Sequence, residues 1–249
     1  MKPAVLVTGG ARRIGATIAA AFGRAGWHVV IHYGRSRAAA EAIAATLPSA
    51  ECVSCDLGDI EDSAAMVEAL AARLDDWRVL VNSAAVFHAD TARRLDPAIF
   101  AEAATVNAAT PARMAQAFLA RARARGGRRV IALTDQKLVN TNPDFFSYTM
   151  AKHAFAATVR MMAMAQDDPA DRVYGLAPGA TLPSFDQLPE EHLTSGRMNL
   201  LERLADPQEL ADAALFLAEG WLASGETLFV DSGQHLLRQP RDVLYLARE

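Results

Sequence analysis

Short apolar runs alternate with longer alanine-rich segments from one end of the chain to the other. Apolar runs of four to six residues, each separated from the next by a stretch long enough for a crossover helix, form a parallel sheet covered by helices on both faces. Strands are predicted at Ala4–Thr8, His28–His32, Glu51–Ser54, Val79–Asn82, Arg129–Leu133, Arg172–Leu176 and Thr227–Val230. Between them, helices are predicted at Ile14–Ala25, Arg37–Leu47, Ile60–Leu74, Pro97–Arg125, Tyr148–Gln166 and Pro207–Glu219. Asp206-Pro207 opens the last of these as N-cap and first-turn proline. Pro97–Arg125 is too long for one segment and is expected to break near Ala104–Asn107.

The 249 residues, 51% of them hydrophobic, carry no internal repeat or linker, so one α/β domain over residues 1–249 is expected. Twenty-five basic residues against 29 acidic ones leave a net charge of -4 without a basic run, which argues against a nucleic-acid partner. The first residues, Met1-Lys2-Pro3, lead straight into a strand with no signal peptide or membrane span, so a cytoplasmic protein is expected. Cys52 and Cys55 have redox or half-zinc spacing, but no second Cys/His cluster completes a metal site. They are expected to be buried structural thiols, with no metal bound.

Two segments stand apart. Ala177–Leu200 holds Pro178, Pro183 and Pro189 and reads as a loop with at most a short helix. The tail Gln234–Glu249 keeps Leu236, Leu237, Val243, Leu244, Tyr245 and Leu246, so it is expected to dock, either on a neighbouring subunit or on its own loop.

The first strand runs into Thr8-Gly9-Gly10-Ala11-Arg12-Arg13-Ile14-Gly15 and then a helix, placing backbone N–H groups and a helix N-terminus where a pyrophosphate binds. Gly9 and Gly15 allow a tight turn, whereas Arg13 stands where many dinucleotide folds use a further glycine. The second strand ends in His32-Tyr33-Gly34-Arg35-Ser36, where an NAD-dependent fold places an acid on the ribose hydroxyl. Arg35 and Ser36 suit the 2′-phosphate of NADPH instead, with Arg12 approaching from the first turn. The bland alternative is that Arg35 is a solvated helix-start residue.

Together with Asp56-Leu57, Asn82-Ser83-Ala84-Ala85, Asn107 and Tyr148-x-x-x-Lys152, the glycine turn resembles the short-chain dehydrogenase/reductase family over nearly the whole chain. The resemblance implies a Rossmann-type, doubly wound sheet. It also implies that Asp56 and Leu57 border the adenine, that Asn82 and Ala84 flank its ribose, and that Pro178-Gly179 turn beside the nicotinamide carboxamide. Tyr148 and Lys152 would act as the catalytic pair, with Asn107 linking the lysine to solvent. Four-residue spacing puts both on one helix face, and an ammonium beside a phenol lowers the phenol pKa.

The family's serine, thirteen positions before the tyrosine, is Asp135 here, unless Thr134 substitutes for it. A carboxylate there, with Arg12-Arg13 and the His-Tyr-x-Arg-Ser strand end, resembles the pteridine reductase and dihydromonapterin reductase branch. In that branch Phe87 falls where an aromatic side chain stacks on the pterin. A flat ring with several donors and acceptors suits a phenyl face opposite the nicotinamide, with Arg13 on its carbonyl or ring nitrogen. Asp135 beside Tyr148 then relays a proton to the ring.

The expected activity is NADPH-dependent reduction of a dihydropterin, such as dihydromonapterin, dihydrobiopterin or dihydrofolate. The alternatives are a carbonyl reductase with Thr134 as oxyanion donor, and a non-catalytic NADP-binding protein. The family resemblance also implies a homotetramer.

Overall fold

The computed structural model describes every residue except Met1 and Phe185. Phe185, inside the expected 177–200 loop, therefore lies outside the described residues. Seven parallel strands form one sheet: β1 (Ala4–Val7), β2 (His28–Tyr33), β3 (Ala50–Ser54), β4 (Trp77–Asn82), β5 (Arg129–Leu133), β6 (Arg172–Pro178) and β7 (Thr227–Val230). Their order is β3-β2-β1-β4-β5-β6-β7, so the winding reverses at β1, and a crevice opens beyond the carboxyl ends of β1 and β4. This is the Rossmann-type α/β architecture that the sequence implies.

The helices are α1 (Arg13–Arg24), α2 (Arg37–Thr46), α3 (Ile60–Arg73), α4 (Pro97–Ala104), α5 (Thr110–Arg121), α6 (Phe146–Met164), α7 (Pro189–Ser195), α8 (Pro207–Glu219) and α9 (Val243–Leu246). Side chains alternate across the sheet, and both faces are covered. Leu6, Leu80 and Val130 join Trp77, Phe118 and Phe155 beneath α3, α5 and α6, whereas Val7, Val81 and Ile131 join Phe22, Ile18 and Leu210 beneath α1 and α8. Trp77 is fully buried, and its indole N–H donates to Val79 O at 2.8 Å, so both its apolar body and its polar edge are satisfied.

The break expected in Pro97–Arg125 is a π-helical turn, Thr105–Ala109, with Asn107 buried inside it. Such turns widen the helix locally and bring a side chain out of the regular ladder. Asp96 caps α4 and Asp206 caps α8 through their carboxylates, each followed by proline in the first turn.

The thiols depart from expectation. Cys52 and Cys55 are free and only half-buried, because β3 is an edge strand of the sheet. The segment after β6 does carry one short helix, α7. The tail, given two outlets by the sequence, takes its own chain: Arg248 donates to Glu191 of α7 at 2.9 Å, and Arg241 to Asp144 at 2.8 Å. No helix among the described residues is long and apolar enough to cross a membrane.

Candidate active site

The first turn is shaped for close approach. Gly9 has φ +63°, and a Cβ there would stand 3.0 Å from Ala84 Cα; at Gly15 a Cβ would stand 2.5 Å from Gly9 O. Arg13, at the position where a further glycine was expected, takes φ +52°, so the backbone keeps the left-handed conformation and the chain bears a side chain there at some steric cost. Thr8 Oγ1 accepts from the N–H groups of Ser83 and Ala84 at 2.9 and 3.1 Å, locking β1 to the segment after β4. Behind the turn, His32 accepts from Gly9 N–H at 3.3 Å through Nδ1, and its Nε2 lies 3.2 Å from Cys55 O. Burial lowers the His32 pKa, which keeps the ring neutral and Nδ1 an acceptor. His32 therefore ties the glycine turn to the end of β3, a role the sequence reading did not assign.

Around this turn lie the other residues expected at a cofactor. Ile14 and Gly15 open α1; Tyr33 ends β2; Ser36 precedes α2 without using its hydroxyl as a cap. The side chains of Arg12 and Arg35 make no hydrogen bond to any described residue, and both residues are exposed. Asp56 is exposed, and among the described residues its carboxylate accepts only from Gly58 N–H, while Leu57 packs against the core. Asn82 donates to Pro111 O at 3.2 Å, but its buried Oδ1 has no partner among the described residues. At Gly179 a Cβ would meet Asp231 Cβ and Gln234 Oε1, each at 2.8 Å, so the turn after Pro178 admits glycine alone. A glycine cradle, two uncommitted guanidinium groups and an unpaired buried carbonyl fit a phosphorylated dinucleotide.

Next to the turn is a cavity of about 560 Å³, walled by residues 83–87, 133–137 and 178–182, by Tyr148 and Lys152, and by residues 242–244 of the tail. At its floor the Tyr148 hydroxyl donates to Asp135 Oδ2 at 2.7 Å, and Lys137 N–H donates to Asp135 Oδ1 at 2.9 Å. Withdrawal from water raises the Asp135 pKa despite its donors. Burial, and then the Asp135 charge, hold the Tyr148 pKa well above its ordinary value.

This corrects the expectation that Lys152 lowers the tyrosine pKa. Lys152 is buried and spends a hydrogen bond on Leu133 O at 2.7 Å, with its Nζ 5.6 Å from the Tyr148 ring centre. Burial brings its own pKa down to about 8. The carboxylate in contact with the phenol outweighs the more distant ammonium.

Asn107 is buried in the π-helical turn. Its side chain accepts from Val86 N–H and donates to Val86 O, both at 2.8 Å, so it clamps the segment that carries Phe87. Thr134 is buried, with its hydroxyl 3.3 Å from Leu176 O, and is not poised as an oxyanion donor. Arg13 lines the cavity, and its guanidinium donates to Pro183 O at 2.8 Å and Leu182 O at 3.4 Å, bracing the loop after β6.

Phe87 stacks on Phe145, with ring centres 4.0 Å apart, and meets Tyr148 edge-on at 4.6 Å. Phe145 in turn stacks on Tyr245 of the tail at 5.8 Å. Phe145 was not singled out in the sequence and Tyr245 only as one of the tail's apolar residues, nor was the ion pair between Lys137 and Asp242 at 2.7 Å singled out, which places a tail carboxylate in the cavity wall. A φ of +52° at Phe145 is the one local signal, and it is invisible without coordinates.

Comparison with known proteins agrees with this geometry. Residues 9–235 match a family model described as enoyl-(acyl carrier protein) reductase. The solved structure of FolM alternative dihydrofolate reductase 1 from Brucella canis, complexed with NADP, superposes with a TM-score of 0.88 at 33% identity, covering 96% of each chain. Pteridine reductase 1 of Leishmania tarentolae is 29% identical over 285 residues, covering 95% of this chain and 97% of the relative. Versicolorin reductase 1 of Aspergillus parasiticus is 28% identical over 253 residues, covering 92% and 94% respectively. The relatives share one scaffold and differ in the substrates they are named for. With the glycine turn, the seven-stranded sheet and the Tyr148/Lys152 helix in place, the chain belongs to the short-chain dehydrogenase/reductase family.

Proposed function

We propose that residues 1–249 form one NADPH-dependent reductase unit whose substrate is a dihydropterin. The observation that carries this reading is the Asp135–Tyr148 hydrogen bond beneath a stacked pair of phenyl rings. A hydroxyl-bearing residue at position 135 serves a ketone oxygen; a carboxylate there serves a ring with N–H groups and basic nitrogens. The relatives named for dihydrofolate and pteridine reduction support the same assignment.

Gly9, Arg12, Arg13, Ile14 and Gly15 would hold the pyrophosphate, with Arg35, Ser36 and Tyr33 at the 2′-phosphate. Asp56, Leu57, Asn82 and Ala84 would border the adenosine, and Thr134, Lys152, Pro178 and Gly179 the nicotinamide end. When bound, NADPH supplies the hydride. Tyr148, protonated at neutral pH because burial and Asp135 hold its pKa high, donates its proton to the ring nitrogen beside the reduced carbon. Asp135 orients the phenol hydroxyl and takes part in its reprotonation. Lys152 supplies positive charge beside the tyrosine and a donor for the ribose. Phe87, backed by Phe145, offers a flat apolar wall to the substrate ring.

A homotetramer is part of the same proposal. Met161 and Met164 of α6 stand 67% and 81% exposed, an apolar edge that a symmetric neighbour would cover. Light scattering that gives a monomer would remove it.

The decisive experiment follows NADPH oxidation against dihydropterins, quinonoid pterins and simple ketones. Turnover of dihydropterins with kcat/KM well above that for ketones is the expected result; turnover of ketones alone would overturn it.

A further inference from the structure

Beyond the catalytic pair, the cavity wall holds a buried amide oxygen that no described residue satisfies. Gln136, only 5% exposed, lines the cavity, and its Oε1 has no hydrogen-bond partner among the described residues. Leaving a buried acceptor unpaired is costly, so such groups in a cavity wall await a donor from outside the fold.

The next residue supplies the complement. Lys137 Nζ donates to Asn142 Oδ1 at 2.9 Å and to Asp242 Oδ2 at 2.7 Å. An ammonium has three donors, so one N–H remains. Asp242 is itself fixed, since its Oδ1 accepts from Leu244 N–H at 3.0 Å. The ion pair is therefore rigid and close to neutral, and it does not attract a ligand by net charge. What it leaves on offer is one donor on Lys137, in the same cavity wall as the acceptor on Gln136.

We propose that Gln136 and Lys137, the latter held by Asp242 of the C-terminal tail, form a specificity subsite for a hydroxyl group on the substrate's side chain. A hydroxyl donates one hydrogen bond and accepts others, so a single group can satisfy Gln136 Oε1 and take the remaining Lys137 N–H. A methyl group can do neither, and a carboxylate cannot donate to Gln136. The subsite rests on the pterin reading for the rest of the substrate. It adds that the tail, by holding Lys137, selects among pterins instead of only covering the cavity.

The test uses two dihydropterins that differ only in bearing a hydroxymethyl or a methyl substituent, with the full-length enzyme loaded with NADPH for kinetics and with NADP+ for equilibrium binding. The wild type should show a KM about tenfold lower for the hydroxymethyl compound, the usual scale for hydrogen bonds to a buried, partly charged site. Gln136→Leu should erase that preference by raising the hydroxymethyl KM about tenfold, with kcat and the methyl compound unaffected. Because the substitution removes an unpaired buried acceptor, Tm should hold or rise, whereas a structural glutamine would lower it. Lys137→Met, paired with Asp242→Asn so that no buried charge is stranded, should reduce the preference as well.

Equal KM values for the two compounds in the wild type, or a preference that survives Gln136→Leu, overturns the subsite and leaves the pterin reading standing. If neither compound is reduced or bound, the pterin reading falls and the subsite falls with it.

Discussion

The hydroxyl of Tyr148 and the carboxylate of Asp135 are joined by a hydrogen bond of 2.7 Å, with Asp135 anchored from its other oxygen by Lys137 N–H. In the proposed mechanism the two groups form one proton-handling unit, and units of this kind are lost together. Asp135→Ala and Tyr148→Phe are each expected to cut kcat about 100-fold, and the double variant should be little worse than either. Steady-state kinetics on purified variants checks this, and multiplicative losses would show that the residues act separately.

Lys152 is expected to set the alkaline limit of the proposed activity. Its charged form is the one assigned beside the tyrosine, and burial brings its pKa to about 8 from an ordinary 10.5. Raising the pH through about 8 removes the charge, so kcat/KM should fall above that value. Lys152→Arg keeps its charge at every accessible pH and should move the limb upward. Stability runs the other way: between about 8 and 10.5 the unfolded lysine holds a proton that the folded one has lost, so the unfolding free energy rises with pH in that window. A pH–rate profile together with thermal melts across the range measures both signs.

Arg35 is exposed and bonded to no described residue, which leaves its guanidinium available to a phosphate. Arg35→Ala should lower kcat/KM for NADPH about 10- to 100-fold, the scale of one or two charge-assisted hydrogen bonds, and leave that for NADH unchanged. Equal losses with both cofactors would return Arg35 to a solvated helix start.

The tail is clasped by Asp144, a buried carboxylate that accepts from Arg241 Nε at 2.8 Å, Arg241 Nη2 at 3.0 Å and Asp242 N–H at 2.9 Å. Asp144→Ala strands those donors and should release the segment that carries Asp242, Val243 and Leu244. Faster tryptic cleavage at Arg241 and a KM for dihydropterin raised about tenfold are expected, with kcat less affected because the clasp lies away from the proton-handling pair. Unchanged proteolysis would mean that α9 stays docked through Arg248, the Lys137–Asp242 ion pair and the Phe145–Tyr245 stack without the clasp.

Much of this protein is legible in its sequence because the signals are local. Short apolar runs fix strands, a glycine whose Cβ would strike a neighbouring carbonyl fixes the turn, and four-residue spacing fixes Tyr148 and Lys152 on one helix face. Asp135 was visible as a departure at a known distance from Tyr148, and the structure brings the two into contact. What only the tertiary structure decided concerns residues far apart in the chain. Arg241 meets Asp144 across 97 positions, Lys137 finds Asp242, and Phe145 slides beneath Phe87. No periodicity encodes such pairs, because each depends on how segments distant in sequence come together at the carboxyl edge of the sheet. The same reason governs the correction at Lys152. Spacing placed the ammonium near the phenol, but only three-dimensional burial and the 2.7 Å contact with Asp135 determined which charge the phenol feels most.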